Sequence, residues 1–146
     1  MNPQLVGRVF PPTSPYLVGR EKVREFARAV FADDAQHYEP EAARARGYAD
    51  VVAPPTFAIV VQEQTLNQLL SEPDSGIVLQ HVLHAEQRFR YSRPIVAGDE
   101  LTATLSVSGV RALGGNTMVT SDAEVHDAGG AHVVTMTSVL VVGGDA

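Results

Sequence analysis

The sequence predicts an α+β fold in which a curled antiparallel sheet wraps one long central helix. Three observations carry that prediction. Residues 51–70, VVAPPTFAIVVQEQTLNQLL, open with an extended apolar pair, break at Pro54-Pro55 and then read as helix. The first turns of that helix, Phe57 to Val61, are apolar on every side, and a helix without a polar face must be enclosed by the rest of its domain. From Gly76 onward apolar and polar residues alternate, the period of strands with one buried face. Finally, Gly114-Gly115-Asn116 and Asp127-Ala128-Gly129-Gly130 separate the alternating runs with residues that tolerate the positive φ of tight hairpins.

Pro55 suits the first helical position, where its missing N–H is no loss. A polar face appears only from Gln62, with Leu66, Leu69 and Leu70 continuing the apolar one, and Glu72-Pro73-Asp74-Ser75-Gly76 ends the helix. Ile59→Asp is expected to unfold such a core. The strands are read over Ile77 to Tyr91, Leu101 to Val107, Val119 to His126 and His132 to Val142. On the first, Ile77, Leu79, Leu83, Ala85, Phe89 and Tyr91 form the buried parity. Short connections make the four largely antiparallel, a long meander.

Ahead of the central helix, Pro11-Pro12 and Pro15 keep residues 1–15 an irregular arm lying on the domain, and Tyr16-Leu17-Val18 adds a short strand. Between Arg20 and Phe31 the residues Val23, Phe26, Ala27, Val30 and Phe31 fall on one helical face. Ala32 to Tyr38 is a polar loop, and Pro40 to Gly47 spells a short helix with proline near its start and glycine past its end.

Composition excludes several classes of function. The 146 residues suffice for one domain spanning 1–146 with a real core, and 45% hydrophobic with 19% charged is ordinary globular usage. No apolar run approaches the roughly 20 residues of a membrane span. The opening MNPQLVGRVFPPTSPY lacks the blocks of a signal peptide, so a cytoplasmic protein is expected. The absence of cysteine removes disulfides, thiolate chemistry and cysteine-ligated zinc. A formal charge of −6 argues against nucleic acid as a partner. No His/Asp/Glu set has metal-ligand spacing, so neither metal nor cofactor is expected.

Asp50-Val51-Val52-Ala53-Pro54-Pro55-Thr56-Phe57, then His84-Ala85-Glu86-Gln87-Arg88-Phe89 and Arg93-Pro94-Ile95-Val96-Ala97-Gly98-Asp99, resemble the N-terminal (FAS1-like) type of MaoC-like dehydratase, within the actinobacterial group related to (3R)-hydroxyacyl-ACP dehydratase subunits. The likeness covers nearly the whole chain, including Val6-Gly7-Arg8 and Tyr16 to Lys22. It implies the hot-dog fold and a dimer, either of two copies or with a MaoC-type subunit. The implied substrate is a 3-hydroxyacyl or 2-enoyl chain on coenzyme A or acyl carrier protein. Active members carry an Asp and a His in a D-x-N-P-x-H pattern before the central helix, and a backbone N–H at that helix's N-terminus holds the thioester oxygen. The chemistry needs both parts, since loss of water requires a base at the α-carbon, a proton for the leaving hydroxyl and a fixed donor for charge developing on the thioester oxygen.

Residue by residue, the resemblance assigns His37 as the acid–base group, ten residues before Gly47, with Asp33 or Asp34 as its carboxylate. The loop is one residue short and its Asn-Pro pair has become Ala35-Gln36. Where active hydratases have His-Gly-Met at the helix entrance, this chain has Pro54-Pro55-Thr56, so Pro55 offers no N–H and only Thr56 remains as donor. Pro55, Thr56, Phe57 and Val60 are the expected substrate contacts, and His84 is a further candidate acid–base group. Arg88, Arg90 and Arg93 are placed to meet phosphates of a pantetheine arm. Two alternatives stand beside the dehydratase. One is a non-catalytic subunit that lends an acyl channel to an active partner. The other is a thioesterase using Glu63, on the central helix, to activate water.

Overall fold

Five antiparallel strands curl around one helix in the computed structural model, which describes residues 2–144. The elements are β1 (Tyr16–Leu17), α1 (Arg20–Ala29), α2 (Pro40–Ala45), α3 (Ile59–Leu70), β2 (Val82–Tyr91), β3 (Glu100–Leu113), β4 (Asn116–His126) and β5 (His132–Val142). The sheet order is β1-β3-β4-β5-β2. Antiparallel pairing is as expected, but the meander is broken. Strand β2 pairs with β5, and residues 92–99 carry the chain back across the fold to β3. That crossing segment binds the helix entrance, with Ala53 N–H on the Ile95 carbonyl at 2.8 Å and Ala97 N–H on that of Val51 at 3.0 Å.

Helix α3 starts four residues later than proline placement suggests. Phe57 N–H returns to the Pro54 carbonyl and Val60 N–H to that of Phe57, each at 2.9 Å, so residues 55–58 form tight turns and Pro55 precedes the helix. Its enclosure also differs from expectation. Phe57, Ala58, Val61 and Leu69 are fully buried, but so are Gln62 and Thr65, while Ile59 and Val60 are only half-buried. The buried stripe follows the side facing the sheet rather than hydrophobicity alone, and Ile59 falls outside it.

Strand β2 is shorter than its alternation suggests, with a 3-10 turn over Leu79–His81 in place of its first residues. A bulge between His84 and Glu86 then switches the parity. Downstream of it Phe89 and Tyr91 face the helix as expected; upstream, Leu79 and Leu83 are 67% and 72% exposed. The N-terminal arm lies along β3, with Gly7 N–H on Val107 O and Phe10 N–H on Leu105 O, both at 2.8 Å. This covers one edge of the sheet and leaves β2 as the other.

Helix α1 buries Val23 and Ala27, and Phe26 meets Phe57 edge-on at 5.4 Å between ring centroids. The expected apolar face stops short of Val30 and Phe31. Ala32 N–H reaches the Ala27 carbonyl at 2.8 Å and Phe31 N–H that of Arg28 at 3.2 Å, a Schellman closure that puts Phe31 in the left-handed region, φ 59°, and 92% exposed. Glycine is the usual residue at a left-handed helix end because a Cβ is strained there. Phe31→Gly is expected to stabilise the fold by about 1 kcal/mol, seen as a higher denaturant midpoint at unchanged slope.

Candidate functional site

The polar loop before α2 is held by its own acids and by Arg46. Asp34 caps the turn Ala35–His37, accepting from Gln36 N–H at 3.2 Å, and pairs with Arg46 at 2.6 Å. The Arg46 guanidinium, helped by the Gln36 N–H, holds the Asp34 carboxyl below its ordinary range. Arg46 also donates to Gln36 Oε1 at 3.1 Å. Asp34 is thus an anchor of the loop. Asp33 is exposed and has no hydrogen bond or ion pair among the described residues. Neither carboxylate is hydrogen-bonded to the His37 ring; the His37 backbone N–H meets the Asp34 carbonyl at 3.1 Å.

His37 itself is 8% exposed, packed by residues that enter α3. Its Nδ1 lies 2.6 Å from the Val52 carbonyl, and Val52 N–H returns to the Gln36 carbonyl at 2.9 Å. A carbonyl only accepts, so Nδ1 carries the proton in this bond and the ring's other nitrogen, Nε2, is left as an acceptor. The residue lines a cavity of about 420 Å³ bounded also by Tyr48, Pro55, Tyr91, Ser92 and Arg93. Tyr91 donates its hydroxyl to the Pro55 carbonyl, and burial pushes its pKa up to about 12, so it stays protonated at neutral pH.

The other candidates disperse. Pro55 lines the His37 cavity, whereas Thr56 and His84 line a second one, also of about 420 Å³, between α3 and β2. No acceptor among the described residues engages the Thr56 N–H. His84 is exposed, its Nε2 within 3.1 Å of the Glu86 carbonyl and 3.2 Å of Ser138 Oγ. Phe57 is core, and Val60 packs against that core, lining neither cavity. Glu63 is exposed on α3 and lines neither cavity as well. Arg93 is held by Asp99 at 2.8 Å and Asp127 at 3.2 Å, partly buried, whereas Arg88 pairs with Glu86 at 2.7 Å on the exposed face of β2. Among the described residues no group of three or more His, Asp or Glu is placed to hold a metal. No helix among them is long and apolar enough to cross a membrane.

Sequence reasoning did not single out Tyr48, Tyr91 or Ser92 as cavity residues. Tyr91 carried a usable signal, since it ends the buried parity of β2 just before the crossing segment that returns to the helix entrance.

Comparison with known proteins places this geometry in a family. Residues 4–136 match the family described as the FAS1-like, dehydratase domain region. A UPF0336 protein of Clavibacter michiganensis is 63% identical over 99% of this chain and 97% of its own length. Among solved structures, the HadBC (3R-hydroxyacyl-ACP dehydratase) complex of Mycobacterium tuberculosis aligns with a TM-score of 0.86 and 31% identity, over 94% of this chain and 96% of that one. A MaoC-like dehydratase aligns with a TM-score of 0.85 and 36% identity, over 95% of this chain and 42% of the other.

Proposed function

This chain belongs to the family of FAS1-like dehydratase-domain proteins with the MaoC-like hot-dog fold, and we propose that it interconverts 3-hydroxyacyl and 2-enoyl thioesters, with His37 as its acid–base group. The observation that carries this reading is the Nδ1 contact of His37 with the Val52 carbonyl, which fixes the tautomer and leaves Nε2 as the basic atom of a residue walling a cavity. In dehydration Nε2 takes the proton from C2. As the C2=C3 bond forms and the C3–O bond breaks, the imidazolium returns a proton to the leaving hydroxyl, which departs as water. The Thr56 N–H, at the start of the turns that lead into α3, is the chain's own candidate donor to the thioester oxygen. No cofactor enters this sequence of steps. The test is hydration of crotonyl-CoA by the purified chain, alone and with a catalytic MaoC-type subunit.

A specific observation favours a second reading, in which the chain works chiefly as the acyl-binding half of a pair. Among the described residues no carboxylate is hydrogen-bonded to the His37 ring, and Pro55 has no N–H to offer. Weak turnover alone and strong turnover with a partner distinguishes this from an independent enzyme. Release of free thiol instead of hydration would return the thioesterase alternative, which the exposed position of Glu63 does not support.

Either reading accommodates a second subunit, another copy of this chain or a MaoC-type partner, and the free edge of β2 is where it docks in our proposal. An exposed strand edge invites pairing, and Val78, Leu79 and Leu83 beside it are 46%, 67% and 72% exposed. Full burial of an exposed Val or Leu is worth about 1.5–3 kcal/mol, and these side chains still have about half to three-quarters of their surface to bury. Leu83→Asp is accordingly expected to yield monomers by light scattering at a concentration where the parent is a dimer; an unchanged mass would place the interface elsewhere.

A further inference from the structure

We infer that Gln62 closes the inner end of the substrate cleft and restricts the protein to short, crotonyl-sized acyl groups, an inference that rests on the acyl-thioester reading above. The two cavities are divided by a single step in each wall. Pro55 lines the His37 cavity and Thr56 the second; on β2, Tyr91 lines the first and Phe89 the second. The Phe89 and Tyr91 rings stack with centroids 6.3 Å apart, and the Tyr91 hydroxyl on the Pro55 carbonyl completes the partition. An acyl chain whose thioester sits at His37 enters the second cavity, between Ile59 of α3 and Gln87 of β2, by displacing the Tyr91 hydroxyl from the Pro55 carbonyl.

Inward of that second cavity, beyond the residues that line it, both α3 and the sheet carry buried polar side chains. One turn beyond Ile59, on the buried side of α3, stands Gln62, fully buried, with neither amide atom hydrogen-bonded among the described residues. On the sheet, Gln87 is paired with Ser138 and Ser138 with Ser121, a polar row on the helix-facing side. Gln87 Oε1 and Ser121 Oγ are likewise buried without a partner among the described residues. An alkyl chain pushed deeper has to displace a full-length side chain from a close-packed interior, and it meets amide and hydroxyl groups where a fatty tail needs methylenes. An uncompensated buried amide also weakens the fold. Such violations of the local rules concentrate at functional sites, and a plug that sets acyl length is a role that both the position and the polarity of Gln62 fit.

Affinity and hydration rate for crotonyl-CoA, trans-2-octenoyl-CoA and trans-2-dodecenoyl-CoA test this on the full chain, with the catalytic subunit added if turnover requires it. The parent is expected to favour crotonyl-CoA over dodecenoyl-CoA by roughly tenfold or more. Gln62→Ala is expected to erase that preference. Gln62→Leu, which keeps the bulk and removes the orphaned amide, is expected to retain it and to melt at a higher temperature. A parent that takes dodecenoyl-CoA as well as crotonyl-CoA overturns the inference, and so does a folded Gln62→Ala with the parent's chain-length profile. If Gln62→Ala does not fold, Gln87→Ala on the opposite wall carries the same expectation and the same refutation. Binding of all three thioesters without preference overturns the length limit alone, whereas binding of none overturns the acyl-thioester reading with it.

Discussion

Val61→Asp is expected to leave no cooperatively folded protein, while Ile59→Asp, two residues earlier on the same helix, is expected to fold. Val61 is fully buried on the side of α3 that faces the sheet, and Ile59 is half-buried at the wall of the second cavity. A carboxylate forced into the first position has no partner and costs several kcal/mol, against the roughly 5–15 kcal/mol that holds a domain together. At the second, the same group reaches water through the cavity. Urea or thermal melts followed by circular dichroism check the pair. Loss of folding in Ile59→Asp with survival of Val61→Asp would mean that the helix is rotated from the orientation described.

That contrast marks what could be read from the chain and what could not. The apolar run from Phe57 to Val61 announced a buried helix, and the Gly-Gly turns announced hairpins, because both signals are local. Strand β5 was legible to the residue, since glycine-rich turn residues bound its run at both ends, Gly129-Gly130 before it and Gly143-Gly144 after it. Which side of α3 meets the sheet was not legible. Gln62 and Thr65 read as the start of a solvent face, yet they are enclosed because the sheet curls over them. The position of β2 beside β5, and the parity switch at its bulge, depend on a crossing segment whose path is set by pairing of residues 95–97 with 51–53. In the candidate site, the family resemblance points to His37 through its spacing to Gly47, and the structure sets that residue in a cavity wall. The partner of its ring was not legible, because a backbone carbonyl, that of Val52, leaves no mark in a sequence. Asp34 looked like a partner for His37 and instead spends its charge on Arg46.

His37→Ala is expected to reduce crotonyl-CoA hydration by about 10²–10⁴-fold, the usual yield of a positioned acid–base group. The imidazole is buried and bonded, so the variant is also expected to lose about 1 kcal/mol of stability, enough to lower its melting temperature by a few degrees without unfolding it. Asp33→Asn separates the possible partners. Its exposed carboxylate has no hydrogen bond or ion pair among the described residues, so the variant is expected to keep the parent's rate, whereas an Asp–His pair assembled on substrate binding would make it nearly as damaging as His37→Ala. The absolute rate of the parent is informative too. With Pro55 offering no N–H and Thr56 N–H as the candidate donor in its place, one oxyanion donor fewer than an ideal site costs roughly 10²–10³ in rate, so slow turnover alone and a large gain on adding a catalytic subunit is the pattern expected. If His37→Ala hydrates crotonyl-CoA as fast as the parent, the Val52 bond is only a clasp that closes the loop. The chain's contribution would then be its acyl cleft, and the chemistry would belong to its partner.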